Sequence, residues 1–170
     1  MTTFDLIATS AMGLESLVAK EVRELGYDCT VDNGKVMFKG DLLAIARANM
    51  WLRTADRVKI KVAEFKAYTY DELFEKTKKI DWKQYLPVNA EFPVSGKSQK
   101  SKLFSVSDCQ AIVKKAIVEK MKMSYNVDGW LSEDGALYKL EVALNKDVAT
   151  ITLDTSGAGL HKRGYRVGQG

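Results

Sequence analysis

Apolar and polar positions along the chain change period several times, and each change marks an element. Phe4-Asp-Leu-Ile-Ala8 is a short β-type run. Leu14, Leu17, Val18, Val22 and Leu25 then recur at helical spacing, and Gly26 follows as the expected C′ residue. Tyr27–Asp32 and Lys35–Lys39 flank Asn33-Gly34, a dipeptide suited to a two-residue hairpin turn. A second helix starts near Asp41 and carries Leu42, Leu43, Ile45, Ala46 and Met50; Val58-Lys-Ile-Lys-Val62 alternates as a half-buried strand. The order β-α-β-β-α-β over about 65 residues is the ferredoxin-like plan. That plan hosts many functions, so it implies no activity.

A second unit begins after Ala67. Tyr70–Ile80 reads as a helix, and Trp82–Leu86 as a short helical turn ended by Pro87. Glu91–Ser95 reads as a strand, with Pro93 favouring an edge or its beginning. The polar stretch 96–102 is expected to be a loop leading into one long helix at 105–123. Ser105 and Asp108 have capping-box spacing there, with Asp in place of the usual Glu or Gln. Leu137–Leu144 and Val148–Leu153 are two strands joined at Asn145-Lys146-Asp147, giving α-α-β-α-β-β. The fold class is therefore α+β, in two compact units divided near residue 67, with no sheet running continuously through both.

Composition bounds the chemistry. With 46% hydrophobic and 28% charged residues the chain suits a globular protein rather than a disordered one. No apolar run approaches the ~20 residues that span a bilayer, and the N-terminus lacks signal-peptide features. Cys29 and Cys109 stand 80 positions apart, and two such lone cysteines are expected to be reduced and buried. Together these features predict a cytoplasmic protein with no membrane partner. The formal charge of +4 conceals an uneven distribution. Residues 94–123 hold seven lysines against Asp108 and Glu119, and residues 157–170 add Lys162, Arg163 and Arg166 without an acid. These stretches carry +8 and the remainder −4, which points to a polyanionic partner.

The long helix places Val106, Cys109, Ile112, Val113, Ala116 and Ile117 on one arc, with Lys114, Lys115 and Lys122 away from it. Lysines on a helix commonly form only a solvated outer face. Here Glu119 is the single acid beyond the first turn, and Lys97, Ser98, Lys100, Ser101 and Lys102 precede the helix. Lysines and hydroxyls beside a helix N-terminus suit phosphate. Arg163 and Arg166 would extend that track.

Other chemistries are poorly supported. Gly96-Lys97-Ser98 ends like a Walker A motif, but Glu91 stands where the first glycine belongs. His161, the one histidine, sits among cations that would depress its pKa. Three scattered Cys and His residues do not make a zinc site. No glycine fingerprint follows a strand, so no cofactor site is expected in this segment. Trp51, Trp82 and Trp130 could stack on bases, although Trp51 ends an amphipathic helix and is expected in the core. No catalytic or metal-binding residue is visible.

The α-α-β-α-β-β order, the Lys/Ser stretch and Ser107-Asp-Cys-Gln-Ala-Ile-Val-Lys-Lys-Ala-Ile117 resemble a THUMP domain. Asp154-Thr-Ser-Gly and Leu160-His-Lys-Arg-Gly-Tyr-Arg166 resemble the hinge of bacterial ribosomal RNA guanine-N2 methyltransferases, proteins also called N6-adenine DNA methylases. The resemblance implies a ferredoxin-like domain at 1–66, a THUMP RNA-binding domain at 67–156, and a linker at 157–170 to a methyltransferase domain. It further implies an RNA partner, ribosomal before transfer RNA, and S-adenosylmethionine as cofactor of that further domain. The family's Asn-Pro-Pro-Tyr-type motif is absent, because Pro87 and Pro93 are the only prolines. Two alternatives stay open: the RNA-binding region of a 4-thiouridine synthetase, and a non-enzymatic ferredoxin-like interaction module.

Overall fold

The computed structural model describes residues 2–156. The tail expected to form a linker, with His161, Arg163 and Arg166, lies outside the described residues. The elements run β1 (Phe4–Thr9), α1 (Glu15–Glu24), β2 (Cys29–Asp32), β3 (Lys35–Gly40), α2 (Leu42–Trp51) and β4 (Arg57–Lys66), followed by α3 (Tyr70–Lys78), a 3₁₀ turn at Trp82–Gln84, β5 (Val94–Gln99), α4 (Val106–Tyr125), β6 (Leu140–Asn145) and β7 (Val148–Asp154). The chain forms two compact units, 2–62 with 153–156, and 63–152. Strand order is β2-β3-β1-β4-β7-β6-β5 in one seven-stranded sheet, which corrects the expectation of no continuous sheet. β4 is ten residues long, twice the alternating run read from sequence, and runs up to the expected boundary.

In the first unit β1 is central. It pairs antiparallel with β3 (Leu6 opposite Phe38) and with β4 (Leu6 opposite Ile60). Leu6, Val36, Phe38, Val58 and Ile60 are buried with Val18, Ala19 and Val22 of α1 and Ala44, Ile45 and Ala48 of α2. Small residues let α2 approach closely. A Cβ on Gly40 would stand 2.3 Å from the Ala44 Cβ, so only glycine fits there. Asp41 then caps α2 by accepting the Ala44 N–H at 2.9 Å. The Asn33-Gly34 turn closes the β2–β3 hairpin as expected, with Gly34 at φ 71°. The Glu15 carboxylate clasps it by accepting the N–H groups of Gly34 (2.8 Å) and Gly13 (2.7 Å). The Gly34 amide first, then those of Glu15 and Gly13, hold its pKa below the ordinary value.

Some apolar positions of this unit lie outside its core, against expectation for Trp51. Leu14 and Leu17 are exposed although they continue the helical stripe, because α1 turns Val18, Ala19 and Val22 inward. Trp51 is exposed as well, since Ala44, Ile45 and Ala48 define the buried side of α2.

In the second unit α3 and α4 bury Leu73, Cys109, Val113, Ala116, Ile117 and Met121, while Leu140, Val142, Leu144, Ala149 and Ile151 are buried on the strands. Trp82 is fully buried, its indole N–H donating to the Thr77 carbonyl at 2.9 Å. β5 runs parallel to β6, with Gly96 opposite Val142. A side chain on Gly96 would press on Gln110 Cγ (3.1 Å) and Val106 Cγ1 (3.3 Å) of α4. β5 lies three to four residues later than read from sequence. Lys97 and Ser98 are thus strand residues, since the parallel partner satisfies a backbone whose polar side chains resemble a loop. Ser105 is the N-cap of α4 but makes no side-chain capping bond, so no capping box forms. Both cysteines are free, Cys109 buried and Cys29 half-buried. Burial, and secondarily Asp108, pushes the Cys109 thiol up.

Candidate nucleic-acid interface

The parallel register of β5 and β6 decides which cations meet. Gln99 stands opposite Asn145, so the turn leaving β5 lies beside the β6–β7 turn. Lys146 and Asp147 form that two-residue turn with φ of 51° and 65°. Left-handed backbone costs a non-glycine residue about 1–2 kcal/mol, and here hydrogen bonds offset it. The Lys146 N–H donates to the Gln99 carbonyl (3.2 Å), and the Ala67 N–H donates to the Asp147 carbonyl (2.9 Å). The Asp147 N–H donates to Ser101 Oγ (3.0 Å), while its carboxylate accepts the Lys102 N–H (2.8 Å). Ser101 donates in turn to the Gln99 carbonyl at 3.0 Å, and Lys100 is left-handed at φ 52°.

This cross-tied pair of turns presents Lys100, Lys102 and Lys146 as exposed side chains, with Lys97 on the adjoining end of β5. Lys97 is 72% exposed and lies 3.9 Å from Glu141, a loose surface pair. The Lys102 ammonium sits 5.2 Å from the centre of the Tyr68 ring, itself exposed. Phe104 is exposed two residues on. A cross-tied backbone carrying exposed cations beside exposed rings can hold phosphates and stack bases.

The other residues selected from sequence divide. The Ser98 hydroxyl donates to the Leu103 carbonyl at 2.7 Å, an internal tie. The Lys114 ammonium donates to the Phe92 carbonyl (2.8 Å) and to Glu133 Oε1 (2.7 Å), and lies 3.5 Å from the Phe92 ring centre. It fastens the 131–134 segment to the approach to β5. Lys115 is exposed, 5.9 Å from the Phe74 ring centre, and Lys122 is half-buried. At about 1.5 Å per residue these two stand roughly 14 and 24 Å along α4 from its start, apart from the turn cluster. Lys146 was missed because its neighbourhood depends on strand register. Tyr68 was missed because the Ala67–Asp147 bond that brings it there spans most of the unit.

The family model described as THUMP domain matches residues 67–154, and the one described as RlmL ferredoxin-like domain matches residues 5–59. YpsC of Bacillus subtilis (strain 168), provisionally named an RNA methyltransferase, is 66% identical over all of this chain, which covers 44% of YpsC. A crystal structure from Listeria monocytogenes str. 4b F2365, of a predicted N6-adenine-specific DNA methylase, matches at 65% identity and a TM-score of 0.90. It matches all of this chain and 45% of that one. SMU.472, provisionally named a methyltransferase and crystallised with SAH, matches at 47% identity and a TM-score of 0.89, over 91% of this chain and 42% of its own. The chain thus spans less than half the length of these relatives. The module that contains the cross-tied turns fills most of the second unit, and by its match the chain belongs to the THUMP domain family.

Proposed function

We propose that this chain is the RNA-binding, substrate-positioning region of an S-adenosylmethionine-dependent RNA methyltransferase that modifies 23S ribosomal RNA at guanine N2. Residues 1–66 are its ferredoxin-like domain, 67–156 its THUMP domain, and 157–170 the link to the methyltransferase domain. The reading makes it a cytoplasmic protein; among the described residues no helix is long and apolar enough to cross a membrane. Its main support is the convergence of Lys97, Lys100, Lys102 and Lys146 on two turns tied together by Asp147 and Ser101. Lys115 and Lys122 are proposed as further phosphate contacts away from that cluster, and Arg163 and Arg166 are proposed with them from their charge in the sequence alone.

S-adenosylmethionine is the cofactor of the proposed further domain; at the β1–α1 and β3–α2 turns of this chain the amides are taken by its own carboxylates, Glu15 at Gly13 and Asp41 at Ala44. On this reading methyl transfer falls to the further domain, and this chain's part is to bind and orient RNA. Phosphate contacts supply affinity without reading sequence, so the surface selects RNA shape or a single-stranded end.

Titration with single-stranded RNA across a salt series tests the reading. Four phosphate contacts give a log–log slope of about −3. K100A/K102A/K146A should weaken binding to every RNA tried and reduce the slope by about 2. Unchanged affinity and slope would reject the interface. Failure of the complete enzyme to form N2-methylguanine in 23S RNA would reject the proposed substrate alone.

A further inference from the structure

The first unit carries an apolar surface that the RNA interface does not use. Met12, Leu14, Leu17, Met50 and Trp51 are all exposed, Trp51 at 53% and Met12 at 71%. They are not scattered. Leu14, Leu17 and Glu21 recur at spacings of three and four, so they share one face of α1. The Glu21 carboxylate accepts the N–H groups of Arg53 (2.8 Å) and Thr54 (3.0 Å), turning that face towards the segment that follows α2. Leu17 lies one turn before Glu21 and Trp51 two residues before Arg53, so one carboxylate sets both. Met12 belongs to the same end, its sulfur 3.7 Å from where a Gly34 Cβ would stand. Exposed apolar side chains brought together by such ties suit a surface that another folded body covers.

The path of the chain identifies that body. Asn49, the residue before Met50, donates from Nδ2 to Thr155 Oγ1 at 2.9 Å. Thr155 is fully buried and donates to the Val58 carbonyl at 2.6 Å. Asp154 accepts from Arg57 at 2.7 Å and from the Ser156 hydroxyl and N–H at 2.7 and 2.9 Å. The polypeptide beyond Ser156 therefore departs from a fixed point beside the last turn of α2, where Met50 and Trp51 stand. In the relatives more than half of the protein lies outside the stretch matched by this chain.

We infer that Met12, Leu14, Leu17, Met50 and Trp51 form the seat on which the methyltransferase domain of the same polypeptide docks, through an apolar patch of its own. The inference rests on the proposed presence of that domain. Because that domain belongs to the same polypeptide, a modest apolar contact suffices for docking in cis.

Hydroxyl-radical footprinting read by mass spectrometry tests this on the chain alone and on the chain continued by the second half of YpsC. Met50 and Trp51 should oxidise several-fold more slowly in the longer polypeptide, with Trp130 and Met123 of the second unit unchanged as internal standards. L17S in the longer polypeptide should restore Met50 oxidation to the rate seen in the chain alone; Leu17 is exposed, so folding should be unaffected. Equal rates in both polypeptides would overturn the inference. So would protection in the chain alone that grows with its concentration, which means a second copy, or that appears only with RNA. None of these outcomes depends on the lysine variant's RNA affinity, so the two readings fail separately.

Discussion

Replacing Asp154 by Asn separates charge from shape at the point where β7 ends. The carboxylate is buried and accepts three hydrogen bonds, from Arg57 Nη1 and from the N–H and hydroxyl of Ser156. Burial alone would raise its pKa, but the Ser156 and Arg57 bonds outweigh burial and hold it below the ordinary value of 3.8. The ion pair is discounted because the Arg57 side chain is 51% exposed, leaving about 0–1 kcal/mol. The Ser156 bonds to a buried anion add about 1–2 kcal/mol together, so D154N should cost roughly 2 kcal/mol near neutral pH. A depressed pKa gives stability that is present above the unfolded-state value and lost as pH falls through the folded-state one. The difference between parent and D154N in urea unfolding should thus be full at pH 6 and shrink below about pH 4. Taking the difference cancels other carboxylates, including Glu15 and Glu21, whose pKa values are lowered too. A difference that stays constant from pH 6 to the acid limit would refute the electrostatic account.

Gly40→Ala would drive a methyl group into Ala44 at 2.3 Å and displace the start of α2. It should destabilise the chain by about 1–3 kcal/mol, read as a lower urea midpoint with an unchanged slope. Lys114→Met keeps the stem over Phe92 but removes the bonds to the Phe92 carbonyl and Glu133. It should cost about 1–2 kcal/mol of stability and leave the salt slope of RNA binding unchanged; a flatter slope would move Lys114 into the RNA interface.

Element types and order were legible because they rest on local chemistry. Helical spacing in 106–121, alternation in 58–62 and the Asn33-Gly34 turn each express a preference that neighbours in sequence enforce. The sequence also located the lysine-rich segment, since charge density needs no coordinates. Tertiary structure decided which lysines stand close together. Lys100, Lys102 and Lys146 meet through the pairing of Gln99 with Asn145 across a parallel register, and such pairing is set by packing between segments some 45 residues apart. Residues 96–99 of β5 looked like a loop because their hydrogen bonds go to β6, a partner that no local pattern names. Leu14, Leu17 and Trp51 fit an apolar stripe, yet a helix buries only the arc its neighbours can reach. For α1 and α2 that arc is set by how closely Val22 and Ala44 approach the sheet, leaving the other apolar positions on the surface.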